Sequence, residues 1–165
     1  MPVNPVIVER SEQPYVSITS TVTMQEMGEK LPPLTGDVFA WIAEAGLTPT
    51  GPVFWKYNTI DMPVALEIEV GVPVDRQVSG GDGVTADALP GGRYALVHHV
   101  GHPDSLEQAT GELLAWAEAE GLKWDVAEVD GTERWTARLE EYLSDPEEQP
   151  DLNTWETNLV FRLAD

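Results

Sequence analysis

Two stretches of this chain end alike, and that repeat limits the folds open to it. Ala40-Trp41-Ile42-Ala43-Glu44-Ala45-Gly46-Leu47 and Ala115-Trp116-Ala117-Glu118-Ala119-Glu120-Gly121-Leu122 share Ala, Trp, Gly and Leu at a single offset (115 − 40 = 122 − 47 = 75). An Ala-Trp pair before a glycine stop is a common helix ending, so the match gains weight only because its flanks repeat too. In residues 34–45, Leu34, Val38, Trp41, Ile42 and Ala45 recur at helical spacing, after Pro32 and Pro33 and before Gly46. In residues 105–120, Leu106, Leu113, Leu114, Trp116 and Ala117 supply the apolar side. Asp104 and Glu107 there are spaced as N-cap and capping box, and Gly121 is the stop.

A strand-like run precedes each helix, at residues 15–24 and 92–100. Two more follow each, at 52–58 and 64–74, then at 134–143 and 154–163. The expected fold is therefore α+β: a duplicated strand-helix-strand-strand unit with pseudo-two-fold symmetry and a ligand groove between the halves. Residues 1–165 form one domain in this reading, with half one at about 15–75 and half two at about 90–163. The linker at about 75–89, which holds Ser79-Gly80-Gly81-Asp82-Gly83, is expected to be mobile.

Charge narrows the partners. Nine Lys and Arg face 29 Asp and Glu, a formal net charge of −20. Such a chain repels phosphate backbones and anionic membranes and attracts small cations, so neither nucleic acid nor membrane is expected as a partner. Six Trp and 42% hydrophobic residues argue against a disordered acidic tail. Cys is absent, which excludes disulfides, thiol nucleophiles and thiolate metal ligands. Residues 1–10 lack a basic segment followed by an apolar run, and no stretch nears the roughly 18 apolar residues of a membrane span. A soluble cytoplasmic protein with no cofactor and no metal is expected.

Alternation along the strands suggests which side chains share a face. In 134–143 the apolar set Trp135, Ala137, Leu139 and Leu143 is assigned to the helix side. The other set, Thr136, Arg138, Glu140 and Tyr142, then faces the cleft, with Glu140 and Tyr142 together. In 52–58, Val53, Trp55 and Tyr57 share one face, as plain core or as cleft wall. In 64–74, Leu66, Ile68, Val70, Val72 and Val74 read as core, and Glu67 and Glu69 point toward solvent or cleft. A carboxylate among aromatic rings is desolvated, and a bound cation offsets that cost. Unit charges about 4 Å apart at an effective dielectric near 20 interact by roughly 4 kcal/mol. A cation over a Trp or Tyr ring gains roughly 0.5–2 kcal/mol more.

Other signals carry less. All three His lie in His98-His99-Val100-Gly101-His102. On a strand His98 and His99 face opposite ways, so a shared metal ion is disfavoured; His98 stays a candidate for the cleft. The match Gly81-x-Gly83-x-x-Ala86 lacks the strand and helix that a dinucleotide site needs, and no Gly-x-Ser-x-Gly elbow is present. Asp145, Glu147, Glu148 and Asp151, near Pro146 and Pro150, read as a solvated turn rather than a calcium loop.

Four segments together resemble the GyrI-like small-molecule-binding domain, the effector-binding domain of bacterial multidrug-responsive transcription regulators. They are Ala65-Leu66-Glu67-Ile68-Glu69-Val70-Gly71-Val72-Pro73-Val74, Leu89-Pro90-Gly91-Gly92-Arg93-Tyr94-Ala95, His99-Val100-Gly101 and Glu140-Glu141-Tyr142-Leu143-Ser144-Asp145-Pro146. The resemblance runs from about residue 15 to 163, and the order and spacing of the segments carry it, not any one motif. It implies a central groove for lipophilic, often cationic, drugs and dyes, with a groove glutamate at Glu140 and Tyr142 on the same face. Where the family shows Pro and then an aromatic after Val100-Gly101, this chain has His102-Pro103-Asp104. The expected function is a stand-alone binder of lipophilic cations, with Glu140, Tyr142, Trp55, Tyr57, Glu67 and His98 as ligand-binding residues. One alternative is a hydrolase of cyclopropane-bearing DNA-alkylating natural products, with Glu140, Tyr142 and Glu67 as the reacting groups. The other is an interaction module for gyrase.

Overall fold

A computed structural model describes residues 4–23, 25–61, 65–81, 83–144 and 150–164. In chain order the elements are β1 (Val6–Arg10), β2 (Gln13–Val22), α1 (Met27–Lys30), α2 (Pro32–Ala45), β3 (Phe54–Asp61), β4 (Ala65–Pro73) and β5 (Thr85–Leu89). Then come β6 (Gly92–Val100), α3 (Leu106–Ala119), β7 (Val126–Val129), β8 (Thr132–Trp135), β9 (Arg138–Tyr142) and β10 (Glu156–Arg162). The strands form one antiparallel sheet of order β1-β6-β10-β9-β3-β4-β2-β5, with the β7–β8 hairpin attached to β3. This is the expected α+β architecture, a curled sheet with few helices.

The strand order reads the same from either end when the halves are exchanged. In half one β3, β4 and β2 lie side by side, and in half two β9, β10 and β6 do. The β3–β9 pair joins them at the centre, with Trp55 opposite Glu140. The helix ends repeat in detail. Gly46 and Gly121 both take positive φ, 71° and 73°, a conformation glycine adopts without a Cβ penalty. The Leu47 amide donates to the Ile42 carbonyl at 3.1 Å and the Leu122 amide to the Ala117 carbonyl at 2.9 Å, two copies of one helix-ending bond.

Both helices cover the same face of the sheet. Val38 and Ile42 of α2 pack on Val16, Val72 and Val74. Leu106, Ala109 and Leu113 of α3 pack on Val97, Leu159 and Phe161. The opposite face is closed by a separate core of Tyr15, Phe54, Leu89, Tyr94, Ala137, Leu139 and Val160. Among the described residues no helix is long and apolar enough to cross a membrane.

Several expectations change. Residues 134–143 are not one strand: the ladder breaks at Thr136-Ala137, where the Thr136 amide donates to the Asp125 carbonyl. The break shifts the alternation, so Trp135 packs under α3 while Ala137 and Leu139 sit on the far face. The linker is partly ordered as β5, paired along β2. Strand β1 and helix α1 lie outside the expected repeat, and Ala45 is exposed. The capping box is absent: α3 starts after Ser105 without a side-chain cap, and the Asp104 amide bonds to His102 Nδ1. The acidic turn read at Asp145, Glu147 and Glu148 lies outside the described residues.

Candidate ligand-binding site

One row of side chains runs straight across the helix-bearing face. Register pairs Val97 with Leu159, Leu159 with Glu140, Glu140 with Trp55, Trp55 with Val70 and Val70 with Ile18. Glu140 is the single charge in that row and stands at its middle. The two helices cover the ends of the row and leave the centre open. The opening is a groove of about 1090 Å³. Its floor is Trp55, Tyr57, Arg138, Glu140 and Tyr142. Pro32 and Thr35 of α2 and Leu106, Thr110 and Leu114 of α3 form opposing walls. The groove thus lies between the halves, as expected, but on the helix side of the sheet. The sequence expectation placed Glu140 away from the helices because it read residues 134–143 as an unbroken strand.

The groove carboxylate is held by two phenols. Tyr142 donates to Glu140 Oε1 at 2.6 Å and Tyr57 donates to the same oxygen at 3.1 Å. Oε2 has no hydrogen-bond partner among the described residues. Burial raises the Glu140 pKa; the two hydroxyls and the charge of Arg138 act against this without reversing it. Burial and the neighbouring carboxylate push both tyrosines well above their ordinary value, so they remain protonated donors. Trp55 and Tyr142 meet edge to face, with ring centroids 5.2 Å apart, and form an aromatic wall beside the acid.

Arg138 is a floor residue that the sequence reading did not single out. The signal was there, because it shares the alternation set of Glu140 and Tyr142. Its guanidinium lies over the rings of Phe161, Trp135 and Tyr57 at 4.7, 4.9 and 5.6 Å. Around the groove the described residues place four carboxylates, Asp104, Glu107, Glu133 and Glu140, against this one cation. The site therefore holds an acidic field even with Arg138 counted.

Two of the expected site residues lie elsewhere. His98 is on the far face, in the row with Asn158, Glu141 and Phe54, where its ring bonds to Asn158 Oδ1 at 2.9 Å and Glu156 Oε1 at 3.0 Å. Glu67 pairs with Thr21 and Thr59, one residue out of phase with the groove-facing Leu66. Neither lines the groove, because a strand sends neighbouring side chains to opposite faces. Trp55, Tyr57, Glu140 and Tyr142 are brought together. Glu69 is also on the far face, buried among Tyr15, Ser17, Lys56 and Asn58.

The family model described as the GyrI-like small molecule binding domain matches residues 4–164. No curated protein sequence matches the chain. Among solved structures, the C-terminal domain of EcmrR is similar at TM-score 0.75 and 20% identity, over 100% of this chain and 99% of that one. SAV2435, solved bound to tetraphenylphosphonium, is similar at TM-score 0.62 and 10% identity, over 98% and 94%. A hydrolase from Listeria innocua is similar at TM-score 0.65 and 15% identity, over 97% and 91%. At these identities the solved structures share a fold with the chain.

Proposed function

Given that the chain belongs to the GyrI-like small-molecule-binding domain family, we propose that its groove binds lipophilic organic cations, with Glu140 as the counter-charge. One observation carries this reading: a lone carboxylate stands at the centre of an apolar row, two tyrosines share one of its oxygens, and the other is left for a ligand. The half-buried carboxylate has lost solvation that a cation would restore. Trp55 and Tyr142 offer rings to a flat or globular aromatic cation, and the acidic rim favours its approach. Tetraphenylphosphonium bound to SAV2435 is a ligand of this chemical class.

The test is a calorimetric or tryptophan-quenching titration with tetraphenylphosphonium. Glu140→Gln keeps the shape and removes the charge, and it should weaken binding about tenfold or more, the equivalent of about 1.4 kcal/mol. Affinity in the wild type should also fall on acidification at a pH above that of an ordinary carboxylate, since the raised pKa neutralises Glu140 early. Binding that is the same in Glu140→Gln would remove the carboxylate from the proposal.

The 2.6 Å contact between Tyr142 and Glu140 also suits a hydrolase. A carboxylate of raised pKa is a better general base near neutrality, and a protonated tyrosine can donate to a leaving group. Glu67, outside the groove, takes no part. Incubation with a cyclopropane-bearing alkylator should then yield the ring-opened water adduct, and Glu140→Gln should abolish it.

A further inference from the structure

Arg138 is held in place but not used. Its side chain is 14% exposed and packed over three rings, which fix where the guanidinium sits. None of its nitrogens donates a hydrogen bond to an acceptor among the described residues. The nearest carboxylate oxygen, Glu133 Oε1, is 4.0 Å from Nη1 and already accepts from Trp135 Nε1 at 2.9 Å. Elsewhere in the chain another partly buried arginine is paired: Arg10 grips Glu141 with both Nη atoms at 2.8 and 3.2 Å. A guanidinium presents five donors in a rigid fork suited to a carboxylate. Arg138 lines the groove.

We propose that Arg138 is the second pole of the groove and receives a carboxylate of the ligand, so that the preferred ligands are lipophilic cations bearing a carboxylate. This deepens the cation-binding reading above and rests on it. Arg138 and Glu140 stand two residues apart on one strand face, about 7 Å along the chain. A positive centre beside Glu140 and a carboxylate beside Arg138, some four carbons away, would satisfy both. The rival account makes Arg138 a fixed internal counterion to Glu140. The two accounts predict opposite signs. With four carboxylates around the groove, an added negative charge must weaken binding unless the guanidinium accepts it.

The experiment compares butyltriphenylphosphonium with (4-carboxybutyl)triphenylphosphonium by calorimetry near neutral pH. Wild type should bind the carboxylate probe about fivefold or more tightly than the butyl probe, in keeping with a charge-assisted bidentate contact. Arg138→Met should reverse that order, the carboxylate probe losing more affinity than the butyl probe. Arg138→Lys, which keeps charge without the fork, should give a smaller preference, and it stands in should the Met variant fail to fold. Glu140→Gln should weaken both probes and keep their ratio. Equal affinities in wild type, or a preference for the butyl probe, overturn the role of Arg138 alone. Failure of both probes to bind overturns the cation-binding reading together with it.

Discussion

Glu140 and Glu69 show how one residue type takes opposite characters on the two faces of a sheet. Burial alone would raise the Glu69 pKa, but Lys56 Nζ at 3.2 Å, Ser17 Oγ at 2.6 Å, Asn58 Nδ2 at 2.8 Å and Tyr15 OH at 2.9 Å more than offset it, and the net direction is down. Glu140 has fewer donors and its net direction is up. The ionised form of Glu69 therefore stabilises the fold above the unfolded-state pKa, and that stability is lost as pH falls through the lowered folded value. For Glu140 the protonated form is the stabilising one, fully so below the unfolded-state pKa and lost as pH rises through the raised folded value. Glu69→Gln strands Lys56 in a buried site and should cost about 3–5 kcal/mol at pH 7, less in acid. Glu140→Gln should be neutral or stabilising at pH 7, with its advantage vanishing on acidification. Thermal melts across the acid range check both, and equal losses at pH 7 would sink the distinction. Alternation put both glutamates in view from sequence, but their partners come from β2, β3 and β9, and no local pattern reports those.

At the scale of elements, the helices and their glycine stops were legible because they depend on local backbone geometry. The split between β8 and β9 was not, because it depends on a hairpin, β7–β8, that has no counterpart among the described residues of half one. That insertion is why the offset of 75 at the helix ends grows between the central strands (138 − 54 = 84). The short edge strand β5 was hidden for a similar reason: its pairing with β2 holds it, not a hydrophobic run of its own. The glycines separate two kinds of cost. Nothing lies within 4 Å of a Cβ added at Gly46 or Gly121, so Ala at either should lose about 1–2 kcal/mol from backbone strain, equally at both. At Gly71 a Cβ would come within 2.7 and 2.8 Å of the buried Phe54 ring. Gly71→Ala should lose about 1–3 kcal/mol through overpacking and disturb the Tyr15–Phe54 ring contact. Chemical denaturation of the three variants checks this, and unequal losses at Gly46 and Gly121 would contradict the equivalence of the helix ends.

For the whole molecule, the duplicated pattern predicted a symmetric sheet but not its exchanged edges. Strand β1, which precedes half one, pairs with β6 of half two, and β5 from the linker pairs with β2 of half one. With β3 and β9 paired at the centre, one ladder runs through both halves, and its groove sits where they meet. The net charge of −20 acts on this unit in two opposed ways. Like charges repel one another across the folded surface and also draw cations toward it. Salt shortens the screening length from about 10 Å at 0.1 M to about 3 Å at 1 M, so it should weaken both effects. The melting temperature should therefore rise between low and high sodium chloride while affinity for tetraphenylphosphonium falls. Glu140→Gln separates the long-range field from the local pair. Its affinity should start lower, and its fractional loss with salt should nearly match that of the wild type, because the contact at half-buried Glu140 is poorly screened. A salt dependence that disappears in Glu140→Gln would instead place nearly all the electrostatic attraction at that one carboxylate and none in the acidic surface.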